Sequence, residues 1–334
     1  AARSLRPAPG PRLMSLAVEN LAVHLGARAL LADMSFRLEN GATLGIVGES
    51  GSGKSLLALA IIGLLPEGMR AQGRVLLDGE DLLALPESAL CHRRGARIGM
   101  IFQEPATALN PAMRIGEQIA EGLIWHRRID AAAARAESLR LLDHVRMPDA
   151  LRRFAFYPHE LSGGQRQRVG IAIALAPEPE LLIADEPTTA LDVTVESEIL
   201  DLLAELVAEA RMSLILISHD LGVIAGMTER CLVMYAGTRF EEGPTERILR
   251  KPLNPYTLGL LAALPERAPA TGERRARRLA GIPGNVPSAG GLPPGCRFAD
   301  RCAMAIAACR PVEPAWRALE PGHGVRCIRA ETLL

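Results

Sequence analysis

Lysine is almost missing from this chain. Among 334 residues it stands only at positions 54 and 251, and every other member of the 38 basic residues is arginine. Where guanidinium has replaced ammonium nearly everywhere, a surviving lysine is a candidate for work a planar fork cannot do, such as fitting a compact charge between phosphate oxygens. Aromatic residues are also scarce, at 3%. The core must therefore be built from Leu, Ala, Ile and Val, and a hydrophobic fraction of 49% supplies enough of them for a sizeable one. Formal net charge is zero, which argues against an electrostatic grip on nucleic acid or anionic lipid. No apolar run reaches the ~18–20 residues of a membrane span. No secretory leader is evident either. Residues 1–13 are rich in Arg and Pro and read as a disordered leader before Met14. These absences point to a cytoplasmic chain whose membrane role, if any, comes through partners. Disulfides are not expected there.

What is present is an alternation of strand-like and helix-like segments. Residues 15–23 and 33–38 alternate as antiparallel strands do. Residues 42–47 form a short apolar run that ends in a glycine-rich loop, and the Ala/Leu-rich segment 56–65 reads as a helix stopped near Pro66. Residues 97–102 are a further strand. From 111 to about 158 the pattern is helical, most clearly over 131–145. The continuous apolar runs 181–184 and 213–218 suit strands buried on both faces of a parallel sheet, with 193–210 as their crossover helix. Composition turns to Pro, Gly and Arg over 265–294, a linker or extended arm, and a cysteine-bearing tail follows. The expected division is 1–13, 14–264 and 265–334.

Residues Gly48-Glu49-Ser50-Gly51-Ser52-Gly53-Lys54-Ser55 match the phosphate-loop pattern in full. The glycines let backbone amides turn inward around phosphates. Lys54 is placed to reach the β- and γ-phosphates, Ser55 to offer its hydroxyl to Mg²⁺, and the helix start at Leu56 to add its dipole. The buried run Leu181-Leu-Ile-Ala-Asp185-Glu186 ends in two carboxylates. At the C-terminal edge of a parallel sheet both stand beside the phosphate loop. One can hold Mg²⁺ and the other can polarise an attacking water. Ser162-Gly163-Gly164-Gln165 opens a helix, Ser162 serving as a plain N-cap or the whole as a second phosphate-binding surface.

With these stands Gln103 after the strand 97–102, Asp192 in Thr188-Thr189-Ala190-Leu191-Asp192, and His219 in Ile217-Ser218-His219-Asp220. The set and its order resemble the ABC ATPases. That resemblance implies an α/β P-loop domain with a RecA-like core, an antiparallel β-subdomain and a helical subdomain near 104–165. It implies two subunits sandwiching two ATPs, each between the phosphate loop of one chain and the 162–165 signature of the other. Glu186 becomes the general base, Gln103 and His219 sense the γ-phosphate, Gln103 joins Ser55 and Asp185 around Mg²⁺, and Asp192 lies in the loop between the subunits. The family usually stacks an aromatic residue on adenine, and here that place falls on Leu25. Adenine is left with apolar contact, with His24, or with a shifted Phe36.

Residues 104–111, Tyr157-Pro158-His159-Glu160, Asn254-Pro255-Tyr256-Thr257 and the tail from Ile282 to Cys327 resemble the oligopeptide/dipeptide/nickel importer ATPases. This narrower resemblance implies a peripheral subunit at the cytoplasmic face of the inner membrane. Its partners would be two transmembrane permease subunits, a second ATPase (a heterodimer favoured over a homodimer) and an extracytoplasmic solute-binding protein. The cargo would be di- or oligopeptides, with nickel as the alternative.

The tail carries Cys296, Cys302, Cys309 and Cys327, four soft ligands that suit a [4Fe–4S] cluster or Zn²⁺. Their wide spacing is unlike a zinc knuckle. Reduced thiols remain open on the residues alone, and the resemblance favours the cluster. Cys91 and Cys231 read as ordinary packed residues, and the basic run 274–278 as a solvated stretch. A rival of another class is an ABC ATPase acting on nucleic acid or the ribosome. Such chains usually carry two ATPase halves or a long coiled coil. This one has a single phosphate loop, no sustained heptads and no net positive charge.

Overall fold

Two sheets account for the strands of the computed structural model, which describes residues 15–104, 108–189, 191–263 and 281–334. The leader 1–13 and the basic run 274–278 lie outside the described residues. In chain order the strands are β1 (Leu16–Leu25), β2 (Arg28–Leu38), β3 (Thr43–Val47), β4 (Met69–Leu77), β5 (Glu80–Asp81), β6 (Ile98–Ile101), β7 (Leu181–Asp185), β8 (Ser213–Ile217), β9 (Arg230–Tyr235), β10 (Thr238–Pro244), β11 (Arg317–Glu320) and β12 (His323–Val325). The helices that matter below are α1 (Lys54–Ile61), α2 (Glu87–Arg93), α3 (Ile115–Gly122), α4 (Ala131–His144), α5 (Ala150–Arg153), α6 (Gly163–Leu175), α7 (Val193–Ala210), α8 (Leu221–Met227), α9 (Thr245–Arg250) and α10 (Pro255–Ala262). None of the described helices is long and apolar enough to cross a membrane.

The first sheet is antiparallel, in the order β2-β1-β4-β5. Its register shifts beside Asn20, which with Asp33 adopts a left-handed backbone (φ 50° at each). These irregularities reset the alternation, so β2 begins five residues before the clean period-two pattern at 33–38. The second sheet runs β11-β12-β10-β9-β3-β8-β7-β6. Strands β9, β3, β8, β7 and β6 are parallel neighbours. Their residues are almost wholly buried, as a sheet covered on both faces requires. Helix α7 is the expected crossover between β7 and β8. Helix α1 ends at Ile61, four residues short of the apolar pattern. There Gly63 turns left-handed (φ 68°) and the Leu64 amide reaches back to Leu59 O at 2.8 Å, closing the end without help from Pro66.

The cysteine-bearing extension does not hang free. Strand β12 pairs antiparallel with β10 and carries β11 at the sheet edge. Val325, Cys327 and Ala330 form a small apolar cluster with Leu253, and Phe298 enters the main core; polar contacts add to the docking. His323, 1% exposed, is 2.8 Å from the Glu241 carboxylate through Nε2. The same carboxylate accepts from the Leu253 amide and the Thr257 hydroxyl at 2.6 and 2.5 Å. His323 is therefore committed to the second sheet. Removing one partner of a buried pair strands the other. His323→Ala should lower stability by about 3 kcal/mol and Tm by on the order of 10 °C. A melting curve unchanged within about 2 °C would show that Glu241 is satisfied without it.

Candidate active site

Four adjacent parallel strands present their C-terminal ends in one row. From one side the row reads Gln103 after β6, Asp185 and Glu186 at β7, Ser218 and His219 after β8, and the phosphate loop after β3. Backbone bonds fix the row. The Glu186 amide donates to Ile217 O at 3.0 Å and the Ser218 amide to Ile46 O at 3.1 Å. The loop can leave β3 only because residue 48 has no Cβ. One built at Gly48 would stand 2.3 Å from Met234 O on β9. Gly53, at φ 97°, caps α1 in a backbone conformation that favours glycine and lies against Leu31.

Lys54 is buried, and its Nζ donates to the Gly48 and Glu49 carbonyls at 2.8 and 3.3 Å. It lies 3.8 Å from the Glu186 carboxylate. Burial pulls the Lys54 pKa below its ordinary value, and Glu186 and Asp185 pull it back up. Lys251, by contrast, is exposed just after α9 and makes no ion pair among the described residues.

Glu186 is the hub. It takes a left-handed backbone (φ 45°), and its Oε2 accepts from Gln103 Nε2 at 3.1 Å and the Thr189 hydroxyl at 2.9 Å. His219 Nδ1 stands 3.6 Å from the same oxygen with its side chain 67% exposed. Thr189 was not singled out from the sequence. Its place three residues after Glu186, at a turn where its amide bonds Glu186 O, is the signal that could have found it. Asp185 is 4% exposed, and among the described residues one of its oxygens has no hydrogen-bond partner. Burial raises its pKa, and the Ser55 hydroxyl and Lys54 lower it. The Ser52 hydroxyl is likewise buried without a partner. Orphaned polar atoms beside a lysine and a glycine loop are what a site for polyphosphate and a divalent cation leaves when its own atoms cannot satisfy one another.

The signature segment is elsewhere. Ser162 caps α6 through Oγ to the Gln165 amide, and Gln165 returns a bond to the Ser162 amide, a reciprocal capping box. Gly163 and Gly164 pack near Leu191 and Val195, where Asp192 caps α7 through the Val195 amide at 3.0 Å. Among the described residues no hydrogen bond or ion pair joins 162–165 to the phosphate loop. One chain thus brings together Lys54, Ser55, Gln103, Asp185, Glu186 and His219, and holds Ser162, Gly163, Gly164, Gln165 and Asp192 apart. Ser162, Gly163 and Asp192 are exposed. Phe36 is 4% exposed inside the antiparallel core, which removes it from adenine binding, and Leu25 at 43% is the open apolar surface.

The cysteines fall short of the expected site. Among the described residues no group of three or more His, Cys, Asp or Glu side chains is arranged to hold a metal ion. Packing is the reason. Cys296 and Cys302 pack against the main core, Cys309 is buried, and Cys327 belongs to the small cluster with Leu253, Val325 and Ala330. Burial pushes the Cys296 thiol up to about 12 and raises those of Cys302 and Cys327. They are still close enough for the charges to be felt mutually, and the backbone amides of Phe298, Met304 and Arg329 point at the sulfurs of Cys296, Cys302 and Cys327.

With the geometry in place, comparison with known proteins is informative. The ABC transporter family model matches residues 31–189, and the model for the oligopeptide/dipeptide transporter C-terminal region matches 240–309. A peptide import ATP-binding protein of Brucella abortus (strain 2308) is 48% identical over 97% of this chain and 96% of its own length. The oligopeptide transport ATP-binding protein OppD of Salmonella typhimurium is 46% identical over 96% of each. A dimeric ATP-binding cassette solved in a post-hydrolysis state with ADP and phosphate superposes with a TM-score of 0.61 at 29% identity, over 69% of this chain and 98% of that one. A cassette from Clostridium perfringens, part of an ABC transporter complex, gives 0.61 at 27% identity, over 71% and 92%.

Asp185 gives a sign that can be checked. Burial raises its folded-state pKa above the ordinary carboxylate range, so the contribution is present at low pH and lost as pH rises through the raised value. At neutral pH the ionised carboxylate is a burden on the nucleotide-free protein. Asp185→Asn should stabilise that form by ~1 kcal/mol, with the gain shrinking on acidification, and should abolish the extra stabilisation by Mg-nucleotide. A nucleotide-free variant that melts below wild type at pH 7.5 would refute this.

Proposed function

The chain belongs to the ABC transporter ATPases, in the branch that carries the oligopeptide/dipeptide C-terminal region, and from that membership we propose that it is the ATP-hydrolysing subunit of an importer of di- and oligopeptides. The observation that carries the catalytic part is the convergence of Lys54, Gln103, Thr189 and His219 on one carboxylate, Glu186.

The residues divide the work. Amides of the loop 48–56 and the Lys54 ammonium hold the β- and γ-phosphates, and the first-turn amides of α1 add donors that have no helical partner. Glu186 accepts a proton from the attacking water. Gln103 and Thr189 orient that carboxylate, and His219 responds to the γ-phosphate from its exposed position. Ser55, Asp185 and Gln103 fit a magnesium ion, which when bound neutralises charge on the β- and γ-oxygens. The exposed signature at 162–165 supports a second ATPase subunit facing the loop, with a related rather than identical partner favoured.

A cleft of about 730 Å³ lined by Met113, Glu117, Ile124, Trp125 and Phe154 supports docking of a permease subunit. Trp125 there is 62% exposed. Two permease subunits and an extracytoplasmic solute-binding protein complete the assembly at the cytoplasmic face of the inner membrane. In the extension, four soft donors and three sulfur-directed amides support a [4Fe–4S] cluster, or zinc, that draws the cysteines together on binding.

In a strain deleted for this chain, wild type should restore uptake of labelled dipeptide and Glu186→Gln should not, ATP turnover falling about 10²–10³-fold with bound ATP retained. Restored nickel uptake without peptide uptake would move the cargo to the metal. Normal uptake by Glu186→Gln would reject the base assignment. For the cysteines, anaerobically purified full-length protein should contain iron and sulfide, or zinc, lost in Cys302→Ser. Metal-free wild type would reject the site.

A further inference from the structure

The phosphate loop is gripped from outside by the C-terminal extension. Arg301, in the extension, gives a two-pronged ion pair to the Glu49 carboxylate, Nη1 to Oε2 at 2.7 Å and Nη2 to Oε1 at 2.8 Å. Glu49 is the second residue of the loop, and among the described residues its carboxylate bonds only Arg301. The guanidinium is 7% exposed and is itself held in place. Its Nε donates to Pro283 O at 2.7 Å, Nη2 to Gly284 O at 3.1 Å and Nη1 to the Tyr235 hydroxyl at 3.2 Å. The Glu49 amide donates to the Tyr256 hydroxyl at 2.9 Å, beneath the same aromatic group. A second arm arrives through the β9–β10 turn. Arg297 donates to Ala236 O at 2.6 Å, and the next residue's amide, that of Gly237, donates to Ser52 O at 2.9 Å. The extension therefore fixes the loop at position 49 directly and at 52 through one turn, on either side of exposed Ser50 and Gly51.

We infer that Arg301 is a positioning residue for nucleotide binding: through Glu49, the extension pre-shapes the phosphate loop. A loop of this glycine content loses much freedom when it closes on phosphates. Holding two of its residues beforehand removes part of that cost and appears as affinity. Coupling of this kind is reciprocal, so nucleotide must tighten the extension by the same factor. The inference rests on the nucleotide site proposed above.

The test uses the full-length chain, a fluorescent ATP analogue and hydrogen exchange of the extension. Glu49→Gln leaves every side chain of the extension in place and should weaken analogue binding about 5- to 50-fold. Arg301→Ala should do the same, and Arg301→Lys should restore only part, because one ammonium cannot make the fork. In wild type, saturating analogue should slow amide exchange over 282–301. In Glu49→Gln that slowing should vanish. Binding within twofold of wild type in both folded variants would overturn the inference and leave the pair as a staple, as would exchange that ignores nucleotide. Lys54→Ala separates the two failures. If it abolishes binding while the Glu49 and Arg301 variants do not, only the inference falls. If it binds as wild type, the nucleotide site falls and the inference with it.

Discussion

The parallel pairing of β3 with β8 on one side and β9 on the other governs everything at this site. Because β3 lies inside the sheet, the loop that follows it emerges flanked by the ends of its neighbours. Glu186 and His219 reach it from β7 and β8, and Met234 O closes on Gly48 from β9. A strand at the sheet edge could not collect catalytic groups from both sides. The ladder also explains the tolerance for orphaned polar atoms. Asp185 and Ser52 sit where neutral partners would be expected, yet each is held by backbone that the sheet has already fixed. Strain and unsatisfied polarity concentrate at this edge and are offset by the apolar strands beneath it.

Much of this row was legible in the sequence because its signals are local. A glycine loop between a buried strand and a helix, two carboxylates ending an apolar run, and a histidine after the next run each declare themselves within ten residues. Parallel topology then brings them together without further information. The N-cap at Ser162 and the crossover helix α7 were readable for the same reason. What was not legible depends on distant pairing. Strand β10 contains charged residues that become buried only through partners far along the chain, as Glu241 does against His323. The pairing of β12 with β10 spans some eighty residues and leaves no local periodicity to read. The start of β2 was missed because a left-handed Asp33 breaks the alternation on which strand recognition rests.

The cysteines mark a different limit. Composition states the donor chemistry correctly and says nothing of where packing will leave the sulfurs. Here two of them pack against the main core and Cys327 joins a separate small cluster. A thiol is also a small hydrophobe, so its spacing along the chain does not say which apolar surface it will join.

The scarcity of lysine finds its explanation in how the extension is attached. The extension packs Phe298, Ile282 and Leu292 onto the main core, and arginine ties it to the rest of the chain: Arg301 forks onto Glu49, Arg247 forks onto Glu320, and Arg326 reaches Asp33. Buried ion pairs contribute little net stability once desolvation is counted, but they tolerate few alternative geometries. Arginine suits that role because its planar donors can bind a carboxylate and backbone carbonyls at once, as Arg301 does. The same property disqualifies it at position 54. There the buried side chain lies folded against Gly48 O and Glu49 O, and under the proposed function it would exchange those carbonyls for phosphate oxygens. Arginine fixes the frame around the phosphate loop, and the lysine inside it is a compact charge that can change partners where a planar fork would be held in place.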